Sequence, residues 1–134
     1  MKVIRIAAAL LIGADRRTLL VRKRGTQAFM QPGGKIDAGE TAVNALAREL
    51  HEELGLLMDP EQARFLGEFS AAAANEPGFE VNCQLYRLDV AHDVTPAAEI
   101  EEVVWVDAGD VNHLHLAPLT RDSILPLYRR LQNV

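Results

Sequence analysis

The sequence predicts one mixed α/β domain, in which strands lie before and after a long helix. The chain has 134 residues, which suits a single domain. β-Branched and aliphatic segments flank residues 41–54, where apolar side chains recur at helical rather than strand spacing. A second helical pattern closes the chain at residues 119–131. We therefore expect a sandwich of helices and a mixed sheet over residues 1–134.

The N-terminal segment predicts a β-hairpin. Residues 3–12 are mostly aliphatic and end at a turn over residues 13–15, and residues 18–23 continue as a second strand. The uninterrupted apolar run, residues 6–12, is too short to span a bilayer, which takes about 20 residues. The charged segment before this run is thin and no small-residue cleavage site stands out, which disfavours a secretory leader. We interpret the run as a buried strand of a cytoplasmic protein with no membrane partner.

The helix over residues 41–54 is the most clearly patterned element. The apolar positions of its buried face are Val43, Leu46, Ala47, Leu50 and Leu54. Thr41 is suited to cap the first turn, and Gly55 suits the left-handed position after the last. Ahead of this helix we expect residues 29–31 to be extended before a proline, and residues 33 and 34 to open a loop.

The second half of the chain predicts three strands and a terminal helix. In chain order these cover residues 64–73, 79–90, 103–106 and 119–131. The turn sequence Asn75-Glu76-Pro77-Gly78 pairs the first two of these strands as a hairpin. Pro126 predicts that the terminal helix begins late or kinks.

Composition narrows the classes of partner. The net charge of −5 and the pI of about 5.3 disfavour nucleic acid as a partner, because phosphate binding depends on lysine and arginine. The single cysteine, Cys83, cannot form an internal disulfide, as expected in a reducing compartment.

Three glutamates on the first helix form a candidate metal site. Glu49, Glu52 and Glu53 span about 100° of the helix, next to its apolar face. Like charges this close repel and raise one another's pKa, and a divalent cation such as Mg²⁺ or Mn²⁺ would relieve the repulsion. A cation held there could also neutralise and orient a phosphate group. An acidic helix face alone is more often solvated surface, so the neighbouring residues decide between the two interpretations.

Two neighbouring features favour a site. Arg48 lies four residues before Glu52 and can pair with it. The turn at residues 32–34 leads into the helix, and glycine lets its backbone approach a ligand closely, so that a carbonyl there could complete a metal shell.

Residues 34–56, GKIDAGETAVNALARELHEELGL, resemble the Nudix box, which is Gly-x5-Glu-x7-Arg-Glu-U-x-Glu-Glu-x-Gly-U with U aliphatic. The matching positions are Gly34, Glu40, Arg48, Glu49, Leu50, Glu52, Glu53, Gly55 and Leu56. Seven of the matched positions demand one residue type, and at roughly 6% usage each a chance match is on the order of 10⁻⁹ per starting position. Strands before and after the box extend the resemblance, which implies a Nudix-type α/β/α sandwich with a mixed β-sheet.

The resemblance implies a metal-dependent pyrophosphohydrolase, with Mg²⁺ as its cofactor and Mn²⁺ as an alternative. Glu49 and Glu53 would be metal ligands, Glu52 a further ligand or helper, and the carbonyl of Gly33 an additional ligand. Arg48 would orient the glutamates and is counted with them among the catalytic residues. Which glutamate acts as general base stays open.

A glutamate outside the helix is expected to join this set. MutT-type members of the family place a glutamate in a loop just before a strand that carries a tryptophan. Glu99, six residues before Trp105, matches this spacing and is the expected further catalytic residue and metal ligand, with Glu102 as its rival. By resemblance, Glu40 would instead be structural and hold the loop before the helix.

Four residues outside the box are candidates for substrate binding: Arg22, Arg24, Phe29 and Gln31. Arg22 and Arg24 end the second strand on the face opposite residue 23, and either could hold a phosphate. Phe29 and Gln31 flank the glycine turn and could line a base pocket, although core packing is the simpler role for Phe29.

The favoured function is hydrolysis of a nucleoside diphosphate linked to another group. A small-molecule (deoxy)nucleoside triphosphate, as in MutT-like members, is the leading substrate, because Ala72 stands where ADP-ribose-type members often carry a proline. A nucleotide-sugar or ADP-ribose pyrophosphatase is the alternative. A non-catalytic nucleotide-sensing module is the alternative of a different class. The sequence leaves a homodimer open.

Overall fold

The computed structural model describes residues 2–91 and 93–132. They form a seven-stranded mixed sheet with one helix on each face. The strands are β1 (Lys2–Ile12), β2 (Thr18–Lys23), β3 (Phe29–Met30), β4 (Gly33–Lys35), β5 (Arg64–Ala72), β6 (Phe79–Asp89) and β7 (Ile100–Val106). The helices are α1 (Ala42–Leu54) and α2 (Leu125–Gln132). The predicted α/β/α sandwich with a mixed β-sheet is confirmed.

β1 lies at the centre of the sheet. It pairs in parallel with β6 over its whole length, from Lys2 opposite Phe79 to Ile12 opposite Asp89. Its other edge pairs with β4 and, at the strand's end, with β2. The remaining pairs between these strands are antiparallel and include the two predicted hairpins, β1–β2 and β5–β6.

Burial on both faces explains why β1 is a continuous apolar run. Alternate residues from Ala7 to Leu11 join the core beneath α1, and those from Ala8 to Ile12 join the core beneath α2. A strand that is covered on both sides has no solvent-facing positions that would favour polar residues. The interpretation of residues 6–12 as a buried strand is therefore confirmed.

α1 forms as the sequence predicts. The side-chain hydroxyl of Thr41 accepts a hydrogen bond from the N–H of Asn44 at 3.2 Å, and Gly55 adopts a left-handed φ of 65° at the other end. The apolar face packs on the sheet through Leu46, Leu50 and Leu54. This packing fixes the rotation of the helix and so determines which glutamates face inward.

The structure differs from the sequence prediction at three elements. Residues 33 and 34, expected in a loop, belong to β4, and β7 begins at Ile100 rather than at residue 103. The terminal helix opens with a π-helical turn over residues 120–124 before α2. This wider turn lies just before Pro126, which has no N–H for the ordinary helical hydrogen bond. No helix in the described ranges is long and apolar enough to cross a membrane.

Candidate active site

Glu53 is a buried carboxylate at the end of α1. The residue is 1% exposed, and its Oε1 accepts a hydrogen bond from the N–H of Gly33 at 3.1 Å. The other oxygen, Oε2, is buried and has no hydrogen-bond partner within the described chain. Burial raises the pKa of Glu53 to about 8, the Gly33 N–H opposes this rise, and the nearby Glu49 adds to it. In the absence of a cation, burial therefore favours the neutral form of the Glu53 carboxyl group.

Two glycines let β4 lie directly against β1 and α1. A Cβ at Gly33 would lie 2.7 Å from the Cα of Ala8, and the φ of 145° at Gly33 also favours glycine. A Cβ at Gly34 would lie 2.7 Å from both carboxylate oxygens of Glu49. The carboxylates of Glu49 and Glu53 are thus both held against the backbone of the same short strand.

Arg48 links the loop before α1 to the acidic face of the helix. Its guanidinium donates from Nε and Nη2 to the two carboxylate oxygens of Glu40, and from Nη1 to Oε1 of Glu49, each at 2.9 Å. Its contact with Glu52, which the sequence predicts, is longer at 3.7 Å. The hydrogen bonds from Arg48 lower the pKa of Glu40 to about 2, and those bonds raise the pKa of Arg48. Glu40 therefore holds the loop, as expected, and Arg48 positions Glu49 more directly than Glu52.

The loop before β7 brings Glu99 to the same site. The N–H of Ala97 donates to the carbonyl oxygen of Glu53 at 2.8 Å, which fixes this loop to the end of α1. Glu99 forms an ion pair with Lys23 at 3.3 Å. Its negative charge contributes to the raised pKa of Glu53, after burial and the charge of Glu49. The structure thus places Glu99 near enough to Glu53 for its charge to act on that carboxyl group.

The structure pairs the side chains of Arg22 and Arg24 with glutamates of β7. Arg22 pairs at 3.2 Å with Glu102, the rival to Glu99, and Arg24 pairs at 3.4 Å with another glutamate of β7. Lys23 instead points to the side of the sheet that α1 covers, and it lines a cavity beside β4. Sequence reasoning missed Lys23, although strand alternation places it on the same side as the buried residues 19 and 21.

A cavity of about 130 Å³ opens beside β4. Its apolar wall includes Ile6, Met30, Val81 and Leu119. Gln31, a predicted substrate-binding residue, also lines this cavity and is 6% exposed. Its Oε1 accepts a hydrogen bond from the hydroxyl of Thr120 at 2.7 Å, whereas its Nε2 is buried without a partner in the described ranges.

Phe29, the other predicted pocket residue, does not line this cavity. It is buried against Leu20 and Val106, and the guanidinium of Arg22 lies 6.0 Å from the centre of its ring. Phe29 is therefore a core residue, which is the simpler of the two roles considered for it.

The donor chemistry of the site fits a hard divalent cation, although the carboxylates are not gathered into a preformed cluster. No group of three acidic, histidine or cysteine side chains among residues 2–91 and 93–132 is arranged to hold a metal ion. Glu49, Glu52 and Glu99 each pair with a basic side chain instead. Glu53 nonetheless has a buried oxygen with no hydrogen-bond partner in the part of the chain that the structure describes, and burial raises the pKa of both Glu53 and Glu49. A cation would favour the ionised carboxylates, so its binding would release protons.

Comparisons with known proteins identify the family. The NUDIX domain model matches residues 2–128. An ADP-ribose pyrophosphatase of Methanocaldococcus jannaschii is 27% identical over 126 residues, which are 92% of this chain and 72% of that protein. A CTP pyrophosphohydrolase of Escherichia coli is 30% identical over 123 residues, which are 88% of this chain and 86% of that protein.

The fold comparison agrees. The crystal structure of a MutT protein from Methanosarcina mazei Go1 superimposes with a TM-score of 0.80 at 21% identity, and the match covers 99% of this chain and 97% of that one. The family model matches residues 2–128, and the box is intact over residues 34–56, from β4 to the end of α1. The chain therefore belongs to the Nudix family and is a hydrolase that acts on phosphoric anhydride bonds.

Proposed function

We propose that this protein is a Mg²⁺-dependent pyrophosphohydrolase of nucleoside triphosphates. The observation that carries the proposal is the carboxylate of Glu53, which is buried, raised in pKa and left with one free oxygen beside β4. A buried carboxylate without a partner costs stability, and such groups are concentrated at functional sites.

Each residue of the site has a proposed role. Glu49 and Glu53 hold the cation, with the carbonyl of Gly33, and Glu52 and Glu99 complete or support this set. Bound Mg²⁺ would neutralise phosphate charge and lower the pKa of a bound water. Arg48 positions Glu49 through their 2.9 Å hydrogen bond.

Lys23 is the proposed phosphate-binding residue in place of Arg22 and Arg24. It lines the cavity and lies beside Glu99, whereas the two arginines are paired with glutamates of β7. If Glu99 held a cation, the ammonium group of Lys23 would no longer be neutralised by this ion pair. It would then be available to a phosphate oxygen.

The cavity favours one nucleoside as the ligand. Small-molecule pockets usually enclose roughly 300–1,000 Å³, and this cavity is about 130 Å³. It would enclose a single base and leave the phosphates outside, over β4 and toward the glutamates. A second nucleoside or sugar would find no comparable enclosure in this cavity, which favours a nucleoside triphosphate over ADP-ribose or a nucleotide sugar.

The test is a substrate panel with a matched pair of variants. Canonical and oxidised nucleoside triphosphates, ADP-ribose, nucleotide sugars and dinucleoside polyphosphates are incubated with the protein and Mg²⁺, and the products are identified. We expect triphosphates to release pyrophosphate, and chelator to stop turnover. Glu53→Gln should lower kcat at least about 100-fold, whereas Glu102→Gln, on the other face of the sheet, should retain it.

Three outcomes would contradict the proposal. Preferential turnover of ADP-ribose or a sugar nucleotide would overturn the proposed substrate class. The absence of turnover in a folded protein that still binds nucleotide would overturn the proposed activity and identify a sensing module. Full activity of Glu53→Gln would overturn the site assignment.

A further inference from the structure

We propose that Gln31 reads the bound base by donating a hydrogen bond from Nε2 to a carbonyl oxygen, so that the cavity prefers keto bases to amino bases. This inference rests on the proposed function only in taking a nucleotide as the ligand. It assigns the specificity within the cavity to one side chain.

The first observation is an unused donor. Gln31 is 6% exposed, and its Nε2 has no hydrogen-bond partner in the described part of the chain. A buried N–H that stays unpaired loses its hydration without compensation. A ligand with an acceptor at this point would restore the missing hydrogen bond.

The second observation is that Thr120 sets the orientation of the amide. The Thr120 hydroxyl lies 2.7 Å from Oε1 of Gln31, and the threonine is 1% exposed. A separation of about 2.7 Å is typical of O–H···O, whereas N–H···O contacts centre nearer 2.9–3.0 Å. The carbonyl of the amide is thus occupied by Thr120, and the amino group is the part left for a ligand.

The position of Gln31 indicates which edge of the base it meets. Gln31 lies two residues before Gly33, whose N–H contacts Glu53, so the phosphates would lie toward that side. A base that enters the cavity from its phosphate side presents its far edge inward. That edge carries the substituent at C6 of a purine or at C4 of a pyrimidine. Because Nε2 is shielded from solvent, side chains that line the cavity must shift to admit the base. Met30 is one of them, and its unbranched side chain can change conformation easily.

The hydrogen-bond chemistry at this edge separates two classes of base. Hypoxanthine, guanine, uracil and thymine carry a carbonyl oxygen there, which can accept from Nε2. Adenine and cytosine carry an amino group, which would place donor against donor and leave both unpaired. Sites that leave a buried group unpaired discriminate strongly, and we expect about 10- to 100-fold tighter binding of keto bases.

The test is equilibrium binding of nucleoside monophosphates, which have no anhydride bond to cleave. IMP is compared with AMP, and UMP with CMP, by titration calorimetry in Mg²⁺. The proteins are wild type, Gln31→Leu, Thr120→Val and the control Gln27→Leu, which changes an exposed glutamine outside the cavity. Circular dichroism checks that each variant is folded.

The inference predicts a pattern across these proteins. Wild type and Gln27→Leu should prefer IMP and UMP about 10-fold or more, and Gln31→Leu should lose this preference by weaker binding of the keto partners. Thr120→Val frees the amide to turn over, so AMP and CMP should bind more tightly than they bind wild type. A merely structural role of Thr120 would weaken all four ligands alike.

The outcomes separate this inference from the proposed function. Equal binding of IMP and AMP to wild type, a reversed preference, or no binding of any of the four would overturn the role of Gln31, whatever the panel assay shows. If Gln31→Leu fails to fold, the wild-type preference and its loss in Thr120→Val still decide. A keto preference that depends on Gln31 in a protein without hydrolase activity would support the inference and overturn the proposed function.

Discussion

Metal-free protein should lose stability as the pH rises from 5 to 8, because Glu53 must ionise while one of its two buried oxygens has no hydrogen-bond partner in the described ranges. Its pKa is about 8 in the folded chain and near 4.5 in the unfolded one. Since the folded value is the higher, the contribution of Glu53 is fully present below pH 4.5 and is lost as the pH approaches 8. Each pH unit well inside this interval removes about 1.4 kcal/mol, and the slope falls near each pKa, so the loss between pH 5 and pH 8 is about 3.5 kcal/mol.

The assay is thermal unfolding in chelator at a series of pH values. At roughly 4 °C per kcal/mol for a chain of this size, Tm should fall by on the order of 10 °C between pH 5 and pH 8. Glu53→Gln carries no ionisable group at this position, so its Tm should exceed that of wild type at pH 8 and approach it at pH 5. Added Mg²⁺ should raise the Tm of wild type at pH 8 and leave that of Glu53→Gln largely unchanged.

The difference between the two proteins decides the outcome, because Glu49 also has a raised pKa and titrates in both. If wild type and Glu53→Gln show the same dependence of Tm on pH, Glu53 does not carry the buried charge. A cation would then have no buried charge on Glu53 to neutralise.

Three further predictions follow from the contacts of β4 and α1. Gly33→Ala should unfold the protein or lower its stability by more than about 2 kcal/mol, because the new Cβ meets the backbone of β1 at a positive φ. Gly34→Ala meets only the carboxylate of Glu49, so this variant should keep its Tm while its kcat falls. A Gly34→Ala variant with wild-type kcat would contradict this. Arg48→Lys loses the hydrogen bonds that the guanidinium donates to Glu40 and Glu49, so kcat should fall at least about 10-fold in steady-state kinetics. Wild-type kcat in this variant would show that Arg48 does not contribute to the site. Thr41→Ala should cost about 1 kcal/mol in urea unfolding with kcat unchanged, and an unaltered stability would show that the cap does not matter.

The elements that could be predicted from the sequence are those whose pattern is local. α1 is specified by its apolar period, Thr41 at its start and Gly55 at its end, and each of these features needs only neighbouring residues to act. β4 could not be predicted, because a Gly-Gly sequence is typical of loops. Only the close approach of β1, which excludes a Cβ at residue 33, makes these residues a strand.

The same distinction applies to the site. The residues of the box are set by helical spacing, so their shared face follows from the sequence. The direction of Lys23 and the pairing of Arg22 with Glu102 depend on how β2 and β7 align, and a shift in their register falls between residues 22 and 23. The orientation of the Gln31 amide depends on Thr120, which is 89 residues away in the chain.

The burial of Glu53 shows how one helix can serve both the core and the chemistry. Leu50 and Leu54 pack α1 on the sheet, and residue 53 lies at the edge of that apolar face, where a polar side chain would ordinarily reach solvent. β4 closes this edge because its glycines let the backbone lie against the helix. The same packing that stabilises α1 therefore desolvates Glu53 and raises its pKa. A cation would relieve that cost, so its binding would recover the stability given up here.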